Sequence, residues 1–267
     1  MRVRIAIAGA VIGTAAGITI GRTVRWWRTW GVDPIEAAKP LPGDDLVPTP
    51  TAIDSRGITI DAPPEAVWPW LVQMGFGRAG WYSYDRLDMR GKSVDTIMPT
   101  WQALAVGDVI PIAPGAGFAV KVVDPGKALV LYSDTAFVES QAAAASGTPE
   151  EVPAGLAASG AFLRQAPQEF AASWTFALEP LDGGRTRLIE RFRVQFGSSG
   201  PGFRVVGPFM GFGVFVMMQR QMLGIRERAV RTAVAPALPI AGEKPRAKTN
   251  GHAAAGGGTE VLASAAG

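Results

Sequence analysis

One acidic residue stands where a strand pattern calls for an apolar one. From Arg185 to Phe196 side chains alternate in kind. Arg185, Arg187, Arg191 and Arg193 fall on a solvent-like face, and Leu188, Glu190, Phe192, Val194 and Phe196 on the opposite one. Strand pleating therefore sends Glu190 into the apolar layer, where a carboxylate needs a counter-ion or a shifted pKa. Two roles fit: a structural ion pair, with Arg226 or Arg78 as the cation, or a working acid. A second cluster is Arg78, Trp81, Tyr82, Tyr84 and Asp85. Its rings could line a cavity mouth while Arg78 or Asp85 holds a polar ligand head. Equally, Trp81 and Tyr84 could pack short helices while Asp85 bonds their backbone. Asp85 and Asp88, three apart, can share a helix face, but two carboxylates without a third ligand make a poor metal or catalytic pair. Trp101, Phe118, Trp174, Phe212, Phe215, Met218 and Gln219 are expected as wall residues of a cavity or as core.

Much chemistry is excluded by what the chain lacks. It contains no cysteine, and its single histidine, His252, sits in a Gly/Ala-rich tail. Disulfides, thiolate nucleophiles and cysteine metal sites are ruled out, and histidine-based catalysis has nothing to work with. No phosphate-binding glycine loop, nucleophile elbow or metal spacing occurs. No cofactor, metal or assigned catalytic residue is expected, and any acid–base step would fall to Asp, Glu, Tyr, Lys or Arg.

The net charge of +3 is unevenly spread. Residues 1–39 hold Arg2, Arg4, Arg22, Arg25, Arg28 and Lys39 against Asp33 and Glu36, which is +4, so the remainder stands at −1. A body this close to neutral lacks the basic footprint of a nucleic-acid binder. The basic amino end instead flanks 17 uncharged residues, Ile5 to Gly21, about 25 Å as a helix against a hydrocarbon core of ~30 Å. Trp26, Trp27 and Trp30 follow, interleaved with arginines, as suits a headgroup layer. The reading is a single-pass N-terminal transmembrane helix within residues 1–30, with the arginine excess directing the main domain to the cytoplasm. A cleaved signal peptide is the alternative. Gly9, Gly13, Gly17 and Gly21 strip one helix face to the backbone and offer a surface for weak self-association.

Five prolines in residues 31–50 mark a stiff linker rather than a packed element. A folded domain is expected over 51–235. It opens with a strand at Thr51–Ile60 and a helix from Pro63 to Met74, with a short helix following Tyr84. Strands are expected near 108–113, 118–124 and 128–133. Residues 139–168 read as a surface insert, and Ala171–Glu179 pairs with Arg185–Phe196 across the Asp182-Gly183-Gly184 turn. The longest apolar helix spans roughly 27 residues from Pro208 to Val234, with Phe212, Phe215, Val216, Met222, Leu223 and Val230 on one stripe and Gln219 and Arg226 among them. The tail, 236–267, is read as disordered. An antiparallel sheet with one apolar face must be covered, and this helix is the available cover.

At the level of motifs, Ala62-Pro-Pro-Glu-Ala-Val-Trp-Pro-Trp-Leu71, Gln73-Met-Gly75, Gly80-Trp-Tyr-Ser-Tyr-Asp85, Val106-Gly-Asp-Val-Ile110, Trp174-Thr-Phe-Ala-Leu-Glu-Pro-Leu181 and Met222-Leu-Gly-Ile225 resemble bacterial members of the SRPBCC superfamily, START-like proteins related to polyketide cyclases and lipid-transfer domains. The resemblance covers residues 51–232. It implies an α+β helix-grip fold, a curved antiparallel sheet wrapped around a long C-terminal helix, with a deep apolar cavity between them. It implies no particular activity. The expectation is a membrane-tethered binding module for a hydrophobic small molecule or lipid, with Glu190, Arg78, Trp81, Tyr84, Asp85, Trp101, Phe118, Trp174, Phe212, Phe215 and Gln219 around the ligand. A cyclase or dehydratase using Glu190 or Asp85 with Tyr84, and a ligand-free scaffold, are the other two.

Overall fold

A computed structural model describes residues 23–24, 26–88, 92–144, 169–197 and 201–234. Six strands form one sheet: β1 (Ala52–Ile60), β2 (Val109–Ala113), β3 (Ala116–Asp124), β4 (Ala128–Asp134), β5 (Phe170–Leu181) and β6 (Arg185–Phe196). Their spatial order is β1-β6-β5-β4-β3-β2, every neighbour antiparallel. Strands β2 to β6 thus run as a meander, and β1 closes the other edge against β6.

The helices are α1 (Pro34–Ala38), α2 (Pro64–Val72), α3 (Asp85–Asp88), α4 (Thr135–Ala144) and α5 (Pro201–Val234). The connection from β1 to β2 crosses the sheet from one edge to the other, carrying α2 and α3. Pro64 starts α2 where a missing N–H does no harm, and Pro69 lies inside it. Both α2 and α5 pack on the inner face, over a core that includes Ile60, Trp70, Leu71, Phe176, Leu188, Met222 and Ile225.

Helix α5 begins at Pro201 rather than Pro208 and runs for 34 residues, about 51 Å at 1.5 Å per residue. Its buried face is Phe215, Met218, Met222, Ile225 and Ala229, spaced alternately three and four apart, whereas Phe212 and Arg226 are exposed. The expected stripe is therefore rotated. On that side the helix comes close to the turn between α2 and α3 at Gly224, where a Cβ would collide with the carbonyl oxygen of Tyr82.

The largest departure from expectation is residues 31–50. They form no spacer but a strap over the outer face of the sheet. Leu41 and Val47 are buried, and Leu41 packs with Ala177 and Ile189 of that face. Three of the four solvent-like arginines of β6 hold the strap down. Arg191, 2% exposed, donates to the carbonyls of Ala37 and Lys39, to Asp44 at 2.7 Å and to Ser55 Oγ. Arg187 pairs with Glu36 and reaches the Gly31 carbonyl, and Arg193 donates to the Val47 carbonyl. Among the four, Arg185 alone is exposed. The strap's entry also covers the open edge of β1, because Gly57 N–H donates to the Trp30 carbonyl at 3.0 Å.

Residues 139–144 of the expected insert belong to α4; the rest of it, the transmembrane run with its glycine face, and the tail lie outside the described residues. Among the described residues no helix is long and apolar enough to cross a membrane. Trp26 and Trp27 lie on a short helical turn, and with Trp30 they pack on α5: Trp26 and Trp30 meet Phe215 edge-on, and Trp27 lies 5.3 Å from Phe212.

Candidate functional site

Because β5 and β6 pair in unbroken register, the alternation of β6 holds throughout its length. Glu190 stands opposite Phe176 on β5 and Arg56 on β1, and opposite residues of an antiparallel pair share a face. The inner face therefore carries Glu190, Arg56, Asp54, Phe192, Trp174 and Phe176 as one patch. Glu190 is fully buried. Its Oε1 accepts a hydrogen bond from the Trp174 indole Nε1–H at 2.7 Å, while Oε2 is buried and unpartnered among the described residues.

Arg56, also fully buried, supplies the nearby positive charge. Its guanidinium donates to Asp54 at 2.9 Å, to the Trp27 carbonyl at 3.1 Å and to Met218 Sδ at 3.0 Å, and it lies 5.5 Å from the Phe215 ring centroid. Neither cation expected for Glu190 is its partner. Arg226 is exposed, and Arg78 bonds the Val72 carbonyl and stacks on Trp101 at 4.7 Å. Since Asp54 already neutralises Arg56, burial dominates and pushes the Glu190 carboxyl up to about 7, against the opposing pull of Arg56 and of the Trp174 bond. Near neutral pH the group is part carboxylic acid, with a proton to give on Oε2 and no protein acceptor among the described residues.

Aromatic rings gather on its partner Trp174. Trp81 stacks on Trp174 at 5.4 Å and 19°; Phe118 meets Trp174 edge-on, as does Phe192. Trp81 is held there by a tight turn. Gly80 and Tyr82 both have positive φ, +92° and +57°, and a Cβ on Gly80 would strike Ser93. Ser93 Oγ accepts from Tyr82 N–H and donates to Asp85 Oδ1. Asp85 is thus engaged in fixing the turn. Tyr82, buried, donates its hydroxyl to the Trp70 carbonyl, and burial raises its pKa.

The expected site residues therefore divide. Glu190, Trp174, Trp81 and Phe118 come together, and Phe215 reaches the cluster through Arg56. Arg78 and Trp101 line a separate groove of about 310 Å³ with Thr100 and Asp108. Tyr84 and Phe212 are exposed at 42% and 44%, and Gln219 is half-buried. Sequence reasoning missed Asp54 and Arg56. The signal was present: the alternation that aligned Ile58 with Ile60, carried back along β1, puts both on the same face. Among the described residues no group of acidic or histidine side chains could hold a metal ion.

No protein-family model matches the chain, and no curated protein sequence matches it. Among solved structures it aligns with a protein of Mesorhizobium loti at 17% identity, over 68% of this chain and 98% of that one, with a TM-score of 0.35. A protein of Arthrobacter aurescens aligns at 14% identity over 79% and 99%, TM-score 0.35, and a hypothetical protein of Helicobacter pylori at 12% over 72% and 96%, TM-score 0.40. Likeness at this level carries no information on function.

Proposed function

We propose that this chain is a membrane-tethered, SRPBCC-like binding module that holds a hydrophobic small molecule or lipid between the inner face of the sheet and α5. The observation that carries the reading is the free oxygen of Glu190. A buried polar atom without a partner is destabilising by roughly 1–3 kcal/mol, so a fold that keeps one on its inner face, beside aromatic rings, is accounted for if a ligand satisfies it. A carboxyl with a pKa near 7 both gives and takes a hydrogen bond. The ligand head it suits is neutral and oxygen-bearing, a hydroxyl or a carbonyl, with an apolar body against Trp81, Phe118, Trp174 and Phe192. Tethering rests on the apolar run Ile5–Gly21 and its arginine flanks, and the excess of arginine after the run supports a body on the cytoplasmic side.

Native mass spectrometry of the full chain, with lipid extraction, tests this. The expected result is a bound apolar molecule whose affinity falls about tenfold in Glu190→Leu, the loss of one hydrogen bond. Consistently empty protein, or a ligand bound equally by Glu190→Leu, would overturn it.

The same pKa favours a second reading, an acid–base enzyme of cyclase or dehydratase type with Glu190 as proton donor and acceptor. Tyr84 and Asp85 are poor helpers in it, the one exposed and the other bonded to Ser93. Turnover that survives Glu190→Gln in a folded protein would end it.

A further inference from the structure

Exposed apolar side chains stand beside the buried Phe215: Trp26 at 53% and Phe212 at 44% meet its ring, and Val214 at 42% precedes it in the helix. Trp26 touches Phe215 directly, and Phe212 lies 6.0 Å from it, so two separate elements build one patch. The helix beneath is unusual in composition. From Pro201 to Met218 its only charged residue is Arg204, whereas the remainder of α5 carries Arg220, Arg226, Glu227, Arg228 and Arg231. A helical stretch apolar all round belongs in a core or a membrane, and here part of it faces outward.

The course of the chain says what covers it. Thr23 comes two residues after the uncharged run Ile5–Gly21, and Trp26 three residues later, about 5 Å further along a helix. If the run crosses a bilayer, the ring of Trp26 cannot leave the headgroup layer, and Phe212 and Val214 are carried there with it. The local charge agrees. Arg22, Arg25 and Arg28 flank the patch in sequence, and no acidic residue occurs before Asp33; aromatic rings among arginines suit an anionic lipid surface.

We propose that Trp26, Phe212 and Val214 form the face on which the folded body seats against an anionic lipid bilayer. The inference rests on the tether proposed above and adds the orientation of the body. Phe215 then separates the lipid from Arg56 by a single ring, so an apolar ligand exchanges with the bilayer rather than with water.

The absence of cysteine gives a clean test. Single substitutions Val214→Cys, Trp26→Cys, Ala10→Cys and Ala233→Cys in the full chain are labelled with an environment-sensitive fluorophore. The proteins are reconstituted in vesicles of phosphatidylcholine and phosphatidylglycerol with and without nitroxide-bearing acyl chains. Ala233, exposed, lies 19 residues beyond Val214, about 28 Å along the same helix. The expected result is blue-shifted, nitroxide-quenched emission at Ala10, Val214 and Trp26, and water-like emission at Ala233. Quenching at Ala10 with water-like emission at Val214 and Trp26 overturns the seating face and leaves the tether standing. A blue-shifted Val214 label that the nitroxide does not reach means that protein, such as a second copy, covers the patch, and this also overturns it. A water-like Ala10 label removes the tether and the seating face together.

Discussion

Glu190 decides how the protein responds to pH, and the sign follows from burial. Its carboxyl sits at about 7 in the folded chain against an ordinary value near 4.3 when unfolded. Between those values the unfolded chain has lost the proton and the folded one retains it, so stability falls as pH rises. The stability attributable to this group is complete below about pH 4 and gone above about pH 7, a swing of about 4 kcal/mol. Glu190→Gln keeps an oxygen for the Trp174 indole and removes the titration. Denaturant unfolding across pH 4 to 8 is expected to show wild type and Glu190→Gln converging at the acid end, with the variant pulling ahead as pH rises. Parallel curves would mean that Glu190 is solvated in the folded state. That Glu190 faces inward was legible, because strand alternation is a local property of twelve residues. Its neighbour Arg56 was harder to see: alternation along β1 gives its face, but a guanidinium on an apolar face does not look buried until pairing with β6 sets it beside Glu190.

Elements whose contacts are local were legible, and those held by distant polar contacts were not. The β5–β6 hairpin follows from its turn and its alternation, and β6 occupies Arg185–Phe196 as expected. The strap is different. Its segment is rich in proline and poor in apolar side chains, and its anchors are arginines 146 to 156 positions away in the chain. Nothing within a short window marks it as packed, and the same distant contact explains why the arginines of β6 looked solvent-facing. Arg191→Met should destabilise the fold by about 3 kcal/mol, since it removes the buried partner of Asp44 and leaves the Ala37 and Lys39 carbonyls without their donor, whereas Arg185→Ala should shift stability by less than about 0.5 kcal/mol. Chemical denaturation of both variants checks the contrast, and equal effects would show that the strap is dispensable. The contact of α5 with the Tyr82 turn gives a second case. Gly224→Ala improves helix propensity by roughly 1 kcal/mol, yet its methyl meets a backbone carbonyl held by the buried Tyr82. Overpacking of this kind is destabilising by about 1–3 kcal/mol. A net loss of thermal stability is expected, and a gain would mean that the turn yields.

At the scale of the molecule, the amino-terminal segment and the sheet are one folding unit. Residues 27–50 supply the Trp27 carbonyl to Arg56, the Trp30 carbonyl to Gly57 N–H, Glu36 and Asp44 to the arginines of β6, and Leu41 to the outer apolar cluster. Without them Arg56 and Arg191 would be charges exposed from below or stranded inside, and Phe215 would lose its indole neighbour Trp30. A stranded buried charge is destabilising by about 3–5 kcal/mol, and a domain has only about 5–15 kcal/mol in all. A chain shortened to begin at Thr51, just before β1, should therefore fail to reach a cooperative folded state. One beginning at Thr23 should unfold cooperatively with a midpoint close to that of the full chain. Denaturant titration followed by tryptophan emission and circular dichroism distinguishes the two. If the chain from Thr51 unfolds as cooperatively and at the same midpoint as the chain from Thr23, the strap is an accessory, and the position of Arg56 beside Glu190 has to be set by β1 and α5 alone.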